Sequence, residues 1–228
     1  MLLTYTWTLA KGCCILLPMT KPLLWIEFLA LFGMIPGLYA LGFMPVPKIP
    51  VLLAFFLCCL VYLVRRERFG KYHFLNGLRA APQALRPILL RSALVFLLSA
   101  CTVLAIDPGL LFAFPKTRPR LWLLVMLLYP LLSAYPQETI YRAFLFKRYK
   151  PIMPSTTALT LSSVLAFSFL HIIFGNWIAV MLTLPAGYLF TRTYLATDSL
   201  MLASLEHALY GCAIFTTGLG RFFYNPMH

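Results

Sequence analysis

The stretch that decides the fold is residues 121–149, LWLLVMLLYPLLSAYPQETIYRAFLFKRY. As a helix it is long enough to cross the roughly 30 Å hydrocarbon core of a bilayer. It nevertheless carries Glu138 and Arg142 within its apolar run. Ionisable side chains at membrane depth are costly, so they usually face a bundle interior or a water-filled cavity. The stretch therefore predicts a membrane helix that carries a carboxylate and a guanidinium into the protein, bent at Pro130 and Pro136.

The composition of the whole chain is that of a membrane protein. Of its 228 residues, 61% are hydrophobic and only 11% are charged. A soluble domain is about half apolar and about a quarter charged. The apolar runs lack the roughly 10-residue alternating segments of an outer-membrane barrel. We therefore predict an all-α fold, a polytopic transmembrane helical bundle.

Apolar windows long enough to span the membrane fall near residues 23–43, 49–64, 89–107, 121–149, 156–174, 177–195 and 199–218. Residues 1–22 form either an interfacial segment or an eighth span, which gives about seven to eight spans. Residues 65–88 are the main polar connection, and Asp198 is expected to cap the last span, with Thr197 and Ser199 as alternatives. Because no internal repeat is visible, we predict one integrated domain, with an N-terminal transmembrane region at 1–120 and a core at 121–218.

The net charge of +13 is concentrated in short segments between apolar runs, such as residues 65–68 and 147–150. Such clusters are typical of loops that set membrane topology, so no nucleic-acid partner is predicted. With seven spans, the excess of lysine and arginine places the N-terminus in the cytoplasm. The expected location is the bacterial inner membrane. The six cysteines have neither zinc-ligand nor disulfide spacing.

Two histidines lie in other apolar runs: His171 ends the sequence FSFLH, and His207 begins HALYG. At 1.5 Å per residue, Glu138, His171 and His207 lie roughly 16, 22 and 12 Å from the same membrane face. Singly, each has a structural explanation, as an ion pair with Arg142 or as a packed imidazole. At matching depth, one carboxylate and two imidazoles favour hydrolysis by activated water.

In this order, these residues resemble the CPBP family, the CAAX prenyl protease and bacteriocin-processing (ABI) intramembrane proteases. The family motif Glu-Glu-x-x-x-Arg is matched by residues 137–142, with Gln137 replacing the first glutamate. Phe167 and His171 match Phe-x-x-x-His. His207 matches the start of a His-x-x-x-Asn-like motif, in which Gly211 stands at the asparagine position. The resemblance covers about residues 121–215, so the predicted core is CPBP-like.

The resemblance implies a helical bundle with an intramembrane cavity open toward the cytoplasm and toward lipid. It also implies that His171 assists the base and that His207 stabilises the oxyanion. Gln137 stands where the family carries its usual water activator, and an amide cannot accept that proton. Either Glu138 takes over as base, which we favour, or the pocket binds a ligand without proteolysis. Since Gly211 lacks a side-chain donor, a water or a backbone N–H would have to substitute.

The sequence therefore predicts a glutamic-type intramembrane endopeptidase acting on a membrane-embedded or lipid-anchored peptide. Its predicted catalytic residues are Glu138, His171 and His207, and its supporting residues are Gln137, Arg142, Phe167 and Gly211. The expected partners are a peptide or lipidated protein substrate and the lipid bilayer. A three-ligand zinc site is conceivable, but without an HExxH helix we predict no metal and no cofactor. The alternative is a non-catalytic transporter or peptide-binding scaffold that uses the same pocket.

Overall fold

The computed structural model describes residues 20–66 and 77–224, and within these ranges the chain is helical and contains no strand. The prediction of an all-α fold is confirmed. The described ranges form eight helices: α1 Lys21–Ala40, α2 Lys48–Arg66, α3 Gly77–Ile106, α4 Ala113–Thr117, α5 119–148, α6 Thr156–Leu170, α7 Trp177–Thr197 and α8 Leu200–Thr217. Short 3-10 turns follow α3, α6 and α8, at Pro108–Leu110, His171–Phe174 and Leu219–Phe223.

Five helices in the described part of the chain are long and apolar enough to cross a membrane. They are α1, α2, α3 from Ala81 onward, α6 with its following turn, and α8. The helices α5 and α7 occupy the other two predicted windows but are not among the five. Helix α5 carries Glu138 and Arg142, and α7 carries Gly187, whose backbone carbonyl accepts a hydrogen bond from Arg142. The count of seven to eight spans stays a prediction, and most of residues 1–22 lies outside the described residues.

One connection is shorter than the sequence suggested. The polar segment 65–88 was expected to separate two spans, but helix α3 already begins at Gly77 and runs without a break through Pro82 and Pro87. Of the three candidate caps of the last helix, the alternative Ser199 is confirmed, because its side chain accepts the Leu202 N–H. The preferred candidate Asp198 is wrong, since it precedes the cap and adopts a left-handed conformation with φ of 48°.

Helix α5 departs from α-geometry at two places around the predicted site. A π-turn begins at Pro130 and runs to Ala134, and a second covers Thr139–Phe144. A proline has no backbone N–H to donate, so local widening of the helix beside it is expected. Such single π-turns are frequent at functional sites, and Glu138 lies on the short α-helical segment between these two.

The core of the bundle is built around α5 and α8. Helix α8 packs against α3, α5 and α7, α2 packs on the second π-turn of α5, and α6 packs on α7 and α1. Helix α1 is fastened to the end of α5 by Glu27, which accepts two hydrogen bonds from Arg148, at 2.9 and 2.7 Å, and one from Tyr149, at 2.8 Å. These contacts fix the helices that carry the site residues relative to one another.

Candidate active site

Glu138 is a fully buried carboxylate held between two helices. Its Oε1 accepts a hydrogen bond from Nδ1 of His207 on α8, at 2.8 Å. Its Oε2 lies 3.0 Å from Nε of Arg142, one turn further along α5. That separation is an ion-pair distance, but the two atoms do not meet hydrogen-bond geometry. Glu138 therefore faces an imidazole on one side and a guanidinium on the other.

Arg142 is also fully buried, and it is held by more than charge. Its Nη2 donates to the carbonyl of Gly187 on α7 at 3.0 Å. Its guanidinium lies 4.6 Å from the ring centroid of Phe167 and 5.7 Å from that of Phe190. Aromatic faces attract a desolvated cation, so Arg142 links α5 to α6 and α7 at the depth of Glu138.

His207 is fixed in orientation by its contacts. Because the Glu138 carboxylate can only accept, Nδ1 of His207 carries the hydrogen. The imidazole stacks on Phe190 with centroids 4.7 Å apart and planes 14° apart, and it meets the edges of Phe167 and Tyr129. No described residue forms a hydrogen bond with its Nε2, which leaves that nitrogen for a ligand.

His171 has a similar arrangement with a backbone partner. Its Nδ1 lies 2.8 Å from the carbonyl oxygen of Phe167. A carbonyl only accepts, so Nδ1 carries the hydrogen and Nε2 presents a lone pair when the ring is neutral. Phe167, Phe174 and Phe223 pack around the ring. Within the described residues Nε2 has no hydrogen-bond partner.

Phe167 brings the two histidines to one place. Its ring centroid lies 4.9 Å from that of His171 and 5.4 Å from that of His207. It packs so closely on α7 that a Cβ at Gly187 would lie 2.8 Å from its Cδ1. Phe167, which was predicted as a supporting residue, therefore packs from α6 against both α7 and α8.

The two histidines and Phe167 lie at the wall of a cavity of about 1120 Å³ inside the bundle. His171 and His207 line it, whereas Glu138 and Arg142 do not. Gln137 lines it as well, donating from Nε2 to Ser133 Oγ at 2.8 Å while its buried Oε1 has no hydrogen-bond partner. The carboxylate therefore reaches the cavity through His207 and does not contact it directly.

The rest of the cavity wall is mainly aliphatic and aromatic. It is contributed by α1, α2, α3, α5, the end of α6, α7, α8 and the turn after α8. Its cationic side chains in the described part of the chain are Lys48 and Arg91, and no carboxylate lines it. A long apolar ligand, or one with an anionic group, suits such a lining.

Sequence reasoning missed one polar network at this wall. Arg91 on α3 donates from Nε to Oε1 of Glu206 at 2.7 Å and from Nη2 to Thr193 at 3.1 Å. Tyr210 donates to the same Glu206 oxygen at 3.1 Å. Glu206 directly precedes His207 in the sequence, but it binds Arg91, Thr193 and Tyr210 and is not part of the Glu138 cluster. The available signal was Arg91, an ionisable residue within the apolar window 89–107.

The structure brings together all seven residues that the sequence singled out. Glu138 contacts His207 and Arg142, Phe167 contacts both histidines, and Gln137 and Gly211 line the same cavity. No group of three or more His, Cys, Asp or Glu side chains in the described ranges is arranged to hold a metal ion.

Residues 119–213, which are fewer than half of the 228, match the family described as type II CAAX prenyl endopeptidase, Rce1-like. No curated protein and no solved structure matches the chain. The matching segment contains the whole cluster around Glu138, from Tyr129 to Gly211. That family is a protease family, so the match supports a membrane-bound peptidase, and the apolar helices make the chain an integral membrane protein. The segment that carries the buried cluster is thus similar to the CAAX-type membrane endopeptidases, which confirms the resemblance to CPBP proteases predicted from the sequence.

Proposed function

We propose that this protein is an intramembrane endopeptidase that hydrolyses a membrane-embedded or lipid-anchored peptide. The observation that carries the proposal is the hydrogen bond between Glu138 and His207 at the wall of a large apolar cavity. A buried carboxylate orients an imidazole and stabilises its charged form, as in other hydrolytic sites. His171 lies across Phe167 and supplies a second imidazole.

In the proposed reaction, Nε2 of His171 accepts a proton from a water molecule in the cavity. The resulting hydroxide adds to the carbonyl carbon of the scissile peptide bond. The carbonyl oxygen becomes an oxyanion that accepts a hydrogen bond from Nε2 of protonated His207. When the C–N bond breaks, His171 returns its proton to the leaving nitrogen, and the products are a carboxylic acid and an amine.

This proposal gives Glu138 a different role from the one that the sequence suggested. The carboxylate is fully buried, and both of its oxygens face protein cations or donors, so water contacts His207 and His171 first. Glu138 then acts as the charge partner of His207, and Arg142 balances Glu138. Direct proton transfer to Glu138 would require the carboxylate to leave both partners.

Gln137 has a place in this scheme although it cannot take a proton. Its buried Oε1 has no hydrogen-bond partner among the described residues. Buried polar atoms without a protein partner commonly bind ordered water. We propose that this oxygen accepts a hydrogen bond from the attacking water and orients it toward the peptide carbonyl.

The apolar wall supports a hydrophobic substrate. A cavity of about 1120 Å³ is large enough for an extended lipid chain or for several residues of a membrane-embedded peptide. The family match supports the same class, since its name describes prenyl endopeptidases. A peptide that carries a prenyl group near its C-terminus is the first substrate to assay.

The test is cleavage of such a peptide by the purified protein in lipid vesicles, followed by mass spectrometry. Replacing His171 with phenylalanine keeps a ring among Phe167, Phe174 and Phe223 but removes the proton acceptor. We expect cleavage to fall by about 10²- to 10⁴-fold with a melting temperature close to that of the unaltered protein. A parallel loss of melting temperature and activity would mean that His171 acts only in packing.

A second candidate function is binding without proteolysis, and Gln137 is the observation that favours it. This amide lines the cavity at the position of the usual water activator in the resembling family. If the unaltered chain binds a peptide without cleaving it, Gln137→Glu should create activity by restoring the missing carboxylate. If the unaltered chain cleaves, as we propose, Gln137→Glu changes the rate of an existing reaction.

A further inference from the structure

The Tyr129 hydroxyl occupies the space that a side chain at position 211 would fill. Gly211 lies on α8, one helical turn after His207. A Cβ built on Gly211 would overlap Cε1, Cζ and the hydroxyl oxygen of Tyr129. Glycine at this position is therefore required by the close approach of a phenol ring from α5, and the phenol oxygen lies beside the backbone of α8.

Tyr129 presents this hydroxyl to the cavity without a protein partner. The side chain lines the cavity, and its ring packs edge-on against His207 and Phe215, with centroids 6.0 and 5.5 Å away. No described residue accepts a hydrogen bond from its hydroxyl. Tyrosine hydroxyls in protein interiors usually find a partner, so this donor is placed for a ligand in the cavity.

Backbone donors on α8 are already used. Gly211 lies in the interior of the helix Leu200–Thr217, where a backbone N–H is bonded to the carbonyl four residues earlier. From the sequence, a water or a backbone N–H was expected to replace the missing side-chain donor at position 211. The structure offers a third source, which is the hydroxyl of Tyr129.

We propose that the Tyr129 hydroxyl donates the second hydrogen bond to the oxyanion, beside Nε2 of His207. This inference rests on the proposed peptide hydrolysis. His207 and Gly211 are four residues apart, so they share one face of α8, and the hydroxyl against Gly211 lies on the same face as the imidazole. Two donors on one wall of a mainly apolar cavity can bind the oxygen of a tetrahedral intermediate from two sides.

The first experiment replaces Tyr129 with phenylalanine, which preserves the ring packing on His207 and Phe215. Removal of one oxyanion donor lowers kcat by about 10²- to 10³-fold in other hydrolases. We expect a loss of this size with KM and melting temperature close to those of the unaltered protein. An unchanged kcat would overturn the proposal.

The second experiment moves the donor from one helix to the other. Gly211→Asn alone should lower the melting temperature, because the new side chain overlaps the Tyr129 ring. Tyr129→Ala alone should lose the donor. The double variant Tyr129→Ala/Gly211→Asn removes the overlap and places an amide donor on α8, so its kcat should exceed that of Tyr129→Ala. A double variant no faster than Tyr129→Ala would contradict the proposal.

A binding measurement distinguishes an error in the Tyr129 proposal from an error in the proposed peptide hydrolysis. A phosphinic peptide carries a tetrahedral anionic group in place of the scissile bond, and the matched uncleaved peptide carries a neutral amide. The unaltered protein should bind the phosphinic peptide more tightly, and Tyr129→Phe should reduce that preference by about 10- to 100-fold. This result would support the Tyr129 donor even if the protein cleaved nothing, which would refute only the proposed function. A preference retained in Tyr129→Phe would refute the donor alone.

Discussion

At the residue scale, Glu138 is the side chain that both pairs with a buried cation and orients a proposed catalytic histidine. It is fully buried, and it lies beside two groups that carry or accept positive charge, Arg142 and His207. A buried ion pair adds little net stability, but breaking one by removing a single partner is strongly destabilising. Glu138 therefore has two separable effects, one on folding and one on the charge of His207.

These effects can be separated with the variants Glu138→Gln, Arg142→Gln and the pair together. Glu138→Gln should lower the free energy of unfolding by about 3–5 kcal/mol, because it leaves the Arg142 charge buried and uncompensated. It should also abolish cleavage. The double variant should recover part of the stability, since no lone charge remains, but none of the activity. Melting temperature and peptide cleavage, measured on the same preparations, check both expectations.

Recovery of cleavage in the double variant would contradict the role given to Glu138. It would show that the carboxylate serves only to neutralise Arg142. A Glu138→Gln protein that remains fully active would remove the carboxylate from the mechanism altogether.

Much of the site could be predicted from the residues, because charged and imidazole side chains are rare in apolar runs and stand out there. The contacts between them could not be predicted. The spacing indicated that Glu138 and Arg142 share a helix face, but not that Glu138 lies behind His207 and away from the cavity. Tyr129 was missed because one tyrosine in an apolar helix is unremarkable until its neighbour Gly211 is known.

At the element scale, α5 and α7 determine how the site side chains are aimed. The two π-turns of α5 flank Glu138 and change the direction of the residues on either side. Most helix limits agreed closely with the apolar windows, as in the predicted 177–195 and the observed Trp177–Thr197. Helix α3 is the exception, because it begins at Gly77, well before its window 89–107. Hydropathy reports length and burial, whereas the π-turns depend on local backbone bonding that hydropathy does not report.

The close packing of α7 on Phe167 gives a prediction at this scale. Gly187→Ala would place a methyl group 2.8 Å from Phe167 Cδ1 and 3.7 Å from Arg142 Nη2. Overpacking of this kind lowers the free energy of unfolding by about 1–3 kcal/mol. A shifted Phe167 ring would also displace both histidines, which it contacts. We expect a lower melting temperature and slower cleavage.

Gly37→Ala is the matched control, because a Cβ there meets nothing within 4 Å. Position 37 is helical, and alanine favours a helix over glycine by about 1 kcal/mol. Its melting temperature should therefore be unchanged or higher, with normal cleavage. Equal behaviour of the two variants would show that contact between α7 and Phe167 is not needed.

At the scale of the whole molecule, the outer surface is so rich in apolar side chains that it requires lipid as its surroundings. Helix α3 exposes a row of large apolar side chains, among them Leu90, Leu97 and Leu104. A charged side chain near the centre of a membrane helix costs about 2.5–3.5 kcal/mol. The exposed face of α3 can therefore be tested with a single substitution.

Leu97→Arg should reduce the amount of folded protein recovered from membranes, because residue 97 is exposed midway along the apolar part of α3. Leu41→Arg is the control, since Leu41 is more exposed but lies just after α1, where a charge can reach water. Size-exclusion chromatography of extracted protein measures both. Equal yields of the two variants would contradict a lipid-facing α3.

Hydrolysis of a peptide bond by the buried cluster can be tested with water labelled with ¹⁸O. The purified protein in lipid vesicles is incubated with a prenylated peptide in labelled water, and the products are weighed by mass spectrometry. We predict that the new C-terminal carboxylate gains one ¹⁸O atom, that Glu138→Gln yields no labelled product, and that His171→Phe yields labelled product about 10²- to 10⁴-fold more slowly. Absence of cleavage by the unaltered protein, or equal labelling by either variant, would contradict the account.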